Sequence, residues 1–284
     1  MSSCYEVFPS QDLPYPIQSR LPVISDIDGL SNFRDVGGYP VAGGGSIKKG
    51  LLFRSSNLQD VPKVGAEKLR TRHGIHAIFD LRSGIEVPPP NRHLSAIPIT
   101  HAPALSDLND DRILDYLESL ATDDTSTVTA ELYLWICAMS TAAFRAVFTY
   151  LRDNPQCPIL IHCELGKYRT GICMAIILLM LGFSDQHIIR DYQLSQDGIK
   201  SIIPERRLKL LQLPLLVDSA VPPVALDRHF LASPDTMRKF LMRFRQTYGS
   251  GQGYLLSIGF SSDDCDIIRQ NLITSPTLSW LNQL

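Results

Sequence analysis

Residues 158–183, PILIHCELGKYRTGICMAIILLMLGF, constrain the fold of this chain more than any other stretch. An apolar run ending at His162 and Cys163 reads as a buried strand, and the run from Ile172 reads as a buried helix closing at Gly182. Only a short glycine-containing loop separates the two. A second apolar strand pattern, IHAIFDLRS, follows the short helical pattern VGAEKLRTRHG, which Gly74 ends. Helix-then-strand order of this kind predicts an α/β fold with at least some parallel pairing.

The loop between strand and helix has a chemistry of its own. Successive backbone N–H groups of a tight turn converge on a point, and the positive end of the following helix adds to them. Gly166 lets the turn curl without a Cβ in the way. Arg169 offers a planar fork for two phosphate oxygens. The site predicted from these residues is a phosphate cradle made by Glu164, Leu165, Gly166, Lys167, Tyr168, Arg169 and Thr170. The same positive field favours a thiolate at Cys163, an in-line nucleophile beneath a bound phosphoryl group. Thr170 is expected to donate its hydroxyl to that sulfur, and His162 to orient the loop through backbone contacts.

The rest of the chain supplies the frame. Residues 1–20, with Pro9, Pro14 and Pro16, read as an extended N-terminal arm, and the length allows one large domain or two small ones. Glycine clusters between short apolar stretches at 30–56 predict turns joining strands. An amphipathic pattern at 105–124 predicts a helix or lid, and Thr127–Arg152 reads as one long helix. Residues 198–233, with prolines 204, 214, 222 and 223, read as an irregular cover segment. Helices are expected through 234–284, the first capped by Ser233, with Pro234 in its first turn and Gly249 as its stop.

Composition narrows the partners. A net charge of −2 and a pI near 6.4 argue against a protein built for nucleic acid or an anionic membrane. Six cysteines at 4, 137, 157, 163, 173 and 265 make no CxxC pair, which fits reduced thiols; Cys137 and Cys173 are assigned to the core. The longest apolar run, Ile172–Phe183, is far short of the ~20 residues a bilayer requires. No signal pattern opens the chain, so a cytoplasmic protein without a transmembrane segment is expected.

HCELGKYRTG resembles the signature loop of cysteine-dependent tyrosine and dual-specificity phosphatases. NFRDVGGY (32–39), LLFRSSNL (51–58), IFDLRS (78–83), DYQLSQ (191–196) and YGSGQGYLLSIGFS (248–261) resemble landmarks of its bacterial- and fungal-type tyrosine/phosphoinositide phosphatase branch, in the right order. The resemblance covers nearly all of the chain from about residue 25. It implies one catalytic domain over 21–284, with a central, mostly parallel sheet flanked by helices: a cysteine-phosphatase fold with added C-terminal helices, needing neither metal nor cofactor. It also implies a phosphocysteine intermediate and a phosphorylated protein, phosphoinositide or small phosphorylated metabolite as partner. In this superfamily a loop lysine goes with acidic substrates, so Lys167 is either a second cation beside the pocket or a solvated side chain.

One position departs from the branch. Most members carry an aspartate, the usual general-acid candidate, where this chain has Tyr168. A phenol with a reference pKa near ~10 is a poor acid at neutral pH. Three readings follow. The acid comes from elsewhere, with Asp80 first and Asp35 second; or the protein is a slow phosphatase for good leaving groups. In the third, the pocket is repurposed, as a phosphate-binding pseudo-enzyme or for a small-metabolite reaction. Asp80 has an alternative role as the partner of Arg82 in an ion pair at the strand end. Asp191 and Tyr192 are expected to pack against the loop helix.

Overall fold

The computed structural model describes residues 26–41, 44–87, 89–105, 111–212, 216, 219 and 221–274. The N-terminal arm, 1–20, and residues 106–110 of the expected lid lie outside them. One sheet of five short strands runs through the centre. Its members are β1 (Arg34–Asp35), β2 (Leu52–Ser55), β3 (Ala77–Asp80), β4 (Ile99–His101) and β5 (Ile159–His162), in the order β1-β2-β5-β3-β4. All neighbours pair in parallel except β1, which is antiparallel to β2 at the edge. The mostly parallel sheet agrees with the order of elements read from the sequence.

Strand β5, Ile-Leu-Ile-His, is buried throughout, as a parallel strand covered on both faces should be. Its side chains alternate between two cores. Ile159 and Ile161 join the larger cluster, under the loop helix α5 (Arg169–Met180), while Leu160 joins the smaller one with Leu69 of α1 (Lys63–Thr71). The connection leaving β2 therefore covers one face and the one leaving β5 the other. Such a reversal opens a crevice beyond the carboxyl ends of the strands. Ser55, His162 and Asp80 stand side by side there.

Helices α2 (Asp111–Thr122), α3 (Thr125–Met139), α4 (Thr141–Asp153) and α6 (Asp185–Ile199) complete the middle of the chain. The single helix expected over 127–152 is two, meeting at 71°. Ser140, at φ −102° and ψ 20°, leaves helical geometry there, and α3 and α4 turn to different neighbours. The irregular segment expected over 198–233 contains α7 (Ile203–Leu211) and α8 (Pro223–His229). Its prolines misled because Pro204 and Pro223 occupy first turns, where a missing N–H costs nothing. The C-terminal helices α9 (Pro234–Tyr248), α10 (Gly251–Ser257) and α11 (Ser262–Leu272) follow, with Ser233 accepting from the Asp235 N–H and Gly249 at φ 74°. Among the described residues, no single helix is long and apolar enough to cross a membrane.

A buried ionic knot ties α6 to the sheet edge. Arg34 of β1 donates to Asp191 Oδ1 (2.8 Å) and to the Asp191 carbonyl (2.8 Å), and Arg54 of β2 donates to Asp191 Oδ2. Both guanidiniums are fully buried. Burial opposes the Asp191 carboxylate, but Arg34 and Arg54 outweigh it and hold its pKa below the usual range. Removing the charge of such a pair strands the partners in low dielectric. Asp191→Asn should lower stability by ~3–5 kcal/mol, read from urea unfolding midpoints. A loss under ~1 kcal/mol would show that other groups satisfy the two arginines.

Candidate active site

The knot positions the loop that follows β5. Arg54 also donates to the Gly166 carbonyl (2.6 Å), and Asn32 Nδ2 donates to the carbonyls of Leu165 (3.0 Å) and Gly166 (3.2 Å). The Glu164 carbonyl accepts from the Asn57 N–H (3.0 Å). With these three carbonyls held from outside the loop, its N–H groups are left for a ligand. Those of residues 164–170 have no hydrogen-bond acceptor among the described residues. Gly166 sits at φ 67°, and a Cβ there would come within 2.2 Å of the Ser55 carbonyl oxygen, so only glycine fits.

Cys163 lies at the floor of the loop, nearly buried, and lines a cavity of about 380 Å³ together with Glu164, Leu165, Tyr168 and Arg169. His162 Nδ1 lies 3.3 Å from the Cys163 carbonyl, the backbone contact expected of it. Burial pulls the His162 pKa down to about 4 against the pull of Asp80. The Thr170 hydroxyl is buried and makes no hydrogen bond, so the expected bond to sulfur is not formed.

Arg169 is held by a residue the sequence reading passed over. Both terminal nitrogens of its fork donate to Glu86, one at 2.7 Å. Glu86 also accepts from the Ser83 N–H (2.8 Å) and hydroxyl (2.9 Å), closing a capping box around the turn Gly84–Glu86. Burial opposes its charge, but Arg169 and Ser83 keep its pKa below the usual carboxylate range. A guanidinium has five donors, so two bonds to Glu86 fix the plane and leave three for a ligand. The S-x-x-E spacing of Ser83 and Glu86 was the available signal.

Three expectations change with the geometry. Asp80 is not brought into the site. Both its oxygens accept from Arg82, at 2.6–3.1 Å, and it does not line the cavity. Burial would raise its pKa, yet His162 and Arg82 draw it down to about 2, the reverse of what a proton donor needs. Asp35 is likewise committed, its two oxygens capping the N–H groups of Gly37 and Gly50 (2.7 Å each). Lys167 contributes its backbone N–H to the loop, but its side chain is fully buried. The ammonium donates to the carbonyls of His229 (2.5 Å) and Leu231 (2.9 Å), so it is neither solvated nor beside the pocket.

Tyr168 is part of the same junction. Its hydroxyl donates to the His229 carbonyl (2.5 Å) and lies 2.8 Å from the Tyr116 hydroxyl of α2. Its ring stacks on His229 at 4.9 Å and meets Tyr133 edge-on at 5.3 Å. His229 ends α8, so Lys167 and Tyr168 together satisfy carbonyls that the helix itself cannot. Burial drives the Tyr168 pKa well above its ordinary value and that of His229 down to about 3. The residue in the aspartate's place is a latch between the loop and the cover segment. Tyr192 packs on the loop helix as expected, 3.3 Å from where a Cβ on Gly171 would stand.

Residues 25–274 match the model of the tyrosine phosphatase family. The chain is 29% identical over 282 residues to the triple specificity protein phosphatase PtpB of Mycobacterium tuberculosis, covering 88% of this chain and 99% of that protein. Among solved structures, the core catalytic domain of the PP-IP phosphatase SIW14 from S. cerevisiae, in complex with citrate, covers 63% of this chain and 94% of its own, at 18% identity and a TM-score of 0.33. This is a hydrolase of the protein-tyrosine and dual-specificity phosphatase type, and the chain belongs to the tyrosine phosphatase family.

Proposed function

We propose that the chain hydrolyses phosphomonoesters through a phosphocysteine intermediate at Cys163. The observation that supports this most directly is the ring of inward N–H groups at 164–170, closed by Arg169 and placed around one thiol. Three non-bridging phosphoryl oxygens would take those N–H groups and the free donors of Arg169. The sulfur attacks phosphorus, an S–P bond forms, and the P–O bond to the leaving group breaks. Water then attacks phosphorus and gives up a proton, the S–P bond breaks, and inorganic phosphate and the thiolate are released.

Protonation of the leaving group is the weak step. Among the described residues lining the cavity, Glu86 is held ionised, Glu164 is paired with Arg206 at 3.0 Å, Tyr116 and Tyr168 are held as phenols, and burial keeps His229 neutral. Asp80, committed to Arg82, is a positioning residue in this reading. The site is therefore best suited to leaving groups that depart as anions, such as the phenolate of phosphotyrosine and other aryl phosphates. PtpB, by its name a triple specificity protein phosphatase, supports phosphate ester hydrolysis as the reaction.

Three measurements test the reading. Rapid acid quench during aryl phosphate turnover should yield a covalent phosphoenzyme mapping to Cys163, and Cys163→Ser should abolish both it and turnover. Label recovered at another residue would remove the mechanism. Across substituted phenyl phosphates, kcat/KM should fall steeply as the phenol pKa rises, and alkyl phosphates should trail by ~10²–10⁴, the contribution of a positioned acid. A flat dependence would reveal a donor. Finally, Tyr168→Asp should not restore an acid: it places a carboxylate among Tyr116, Tyr133 and His229 and breaks the latch. We expect a stability loss of at least ~2 kcal/mol and no gain on alkyl phosphates at mildly acidic pH. A gain there would mean that the carboxyl reaches the substrate.

A further inference from the structure

The cavity above Cys163 has a definite chemical character away from the loop. Its far wall is made by Ile113 and Leu117 of α2, Leu132 and Ile136 of α3, Leu210 of α7, and Phe230. At about 380 Å³ it has the volume of a small-molecule site, ~300–1,000 Å³, which is typically apolar with a few fixed polar groups. An aromatic ring joined to the phosphate would leave much of that wall uncovered.

Charge points the same way. Four cationic side chains line the cavity among the described residues, and each has its own carboxylate. Arg82 is 2.6 Å from Asp80, Arg169 is 2.7 Å from Glu86, Arg206 is 3.0 Å from Glu164, and Lys209 is 2.9 Å from Glu205. Lys167, the expected second cation, is turned away into α8. One phosphoryl group is served by the loop N–H groups and by the donors that Arg169 keeps free. A second would meet cations whose charge is already balanced, or lie against hydrocarbon.

Resting on the phosphatase reading above, we infer that the substrate is a monophosphate ester whose leaving group carries a substantial apolar chain or ring system. It bears no second phosphate and is taken up as a free molecule, its apolar part enclosed by α2, α3 and α7. The phosphoryl group meets Cys163, and the hydrocarbon replaces water along the wall. Each methylene buried there contributes at most about fourfold to specificity.

The test is a series of para-alkylphenyl phosphates, from para-methyl to para-octyl, used below their aggregation limit with the full chain. Phenol acidity stays nearly constant along the series, so only the apolar contact changes. We expect kcat/KM to rise by at least about tenfold from methyl to octyl, inside the ceiling set by methylene transfer. Leu132→Asn on half-buried α3, and Ile113→Gln on α2 as a second variant, should each cut that ratio about threefold or more. Calorimetric binding of the same compounds to Cys163→Ser should show the same order of affinities. A flat series would overturn the inference, as would inositol bis- or polyphosphates exceeding every monoester, or faster turnover of octyl substrate embedded in phosphatidylcholine vesicles than free. If the para-methyl ester is not hydrolysed at all, the phosphatase reading fails. The binding series on Cys163→Ser then still decides whether the apolar wall is a ligand site.

Discussion

The active site depends on which way a few carbonyls point. A loop of successive peptides can present oxygens or N–H groups to its centre, and the choice is made from outside. Arg54 and Asn32 capture the carbonyls of Leu165 and Gly166, and the Asn57 N–H captures that of Glu164. Arg54 and Asn32 are themselves fixed by Asp191 and Arg34, the latter bonded to the Asn32 side chain at 2.5 Å. The cost of burying two guanidiniums and one carboxylate is accepted because the knot dictates loop geometry. Rigidity of this kind is what electrostatic stabilisation of a phosphoryl group requires, since donors that are already aligned need no reorganisation.

Much of this was legible before any coordinates. The strand-loop-helix of 158–183 announces itself because both flanks are apolar and the glycine falls where the turn needs it. The caps at Ser233 and Gly249 are local signals and held. What escaped reading depends on contacts between distant parts of the chain. Whether Lys167 faces the pocket or turns away is decided by the arrival of the end of α8 and the turn after it, whose His229 and Leu231 carbonyls lie 62 and 64 residues further on. Asp80 and Arg82, two apart at the end of an extended strand, share a face, so their pairing was the reading that local geometry favoured. Ser140 as a break between α3 and α4 was hidden by the alanine-rich sequence on either side. Glu86 was available in the S-x-x-E spacing, but nothing local ties a capping box to an arginine 83 residues away.

The exchange of aspartate for Tyr168 is best understood as part of a larger arrangement. An ionised carboxylate at that place could not donate to the His229 carbonyl, because it only accepts. The phenol instead stacks on His229, bonds its carbonyl, and meets Tyr116 of α2, so loop, α2 and α8 become one packed unit. Arg228 extends the contact by donating to the carbonyls of Leu120 (2.7 Å) and Ala121 (3.2 Å) at the end of α2. The aromatic latch thus carries structure that an acid would not.

The same latch explains why the pocket is apolar. By drawing α8 against the loop, Lys167 and Tyr168 bring Phe230 and α2 to the mouth of the cradle, where an open loop would meet water. A wall of this kind weakens the case for an acid in its immediate neighbourhood, because burial pushes carboxyl groups toward their neutral form only when no cation is near. Here each lining carboxylate among the described residues, Glu86 and Glu164, is already paired with an arginine. The Tyr168 latch, inward burial of the loop lysine and enclosure by hydrocarbon are therefore one packing arrangement seen from three sides. Substrate selection then rests on what the leaving group is made of rather than on how many charges it carries.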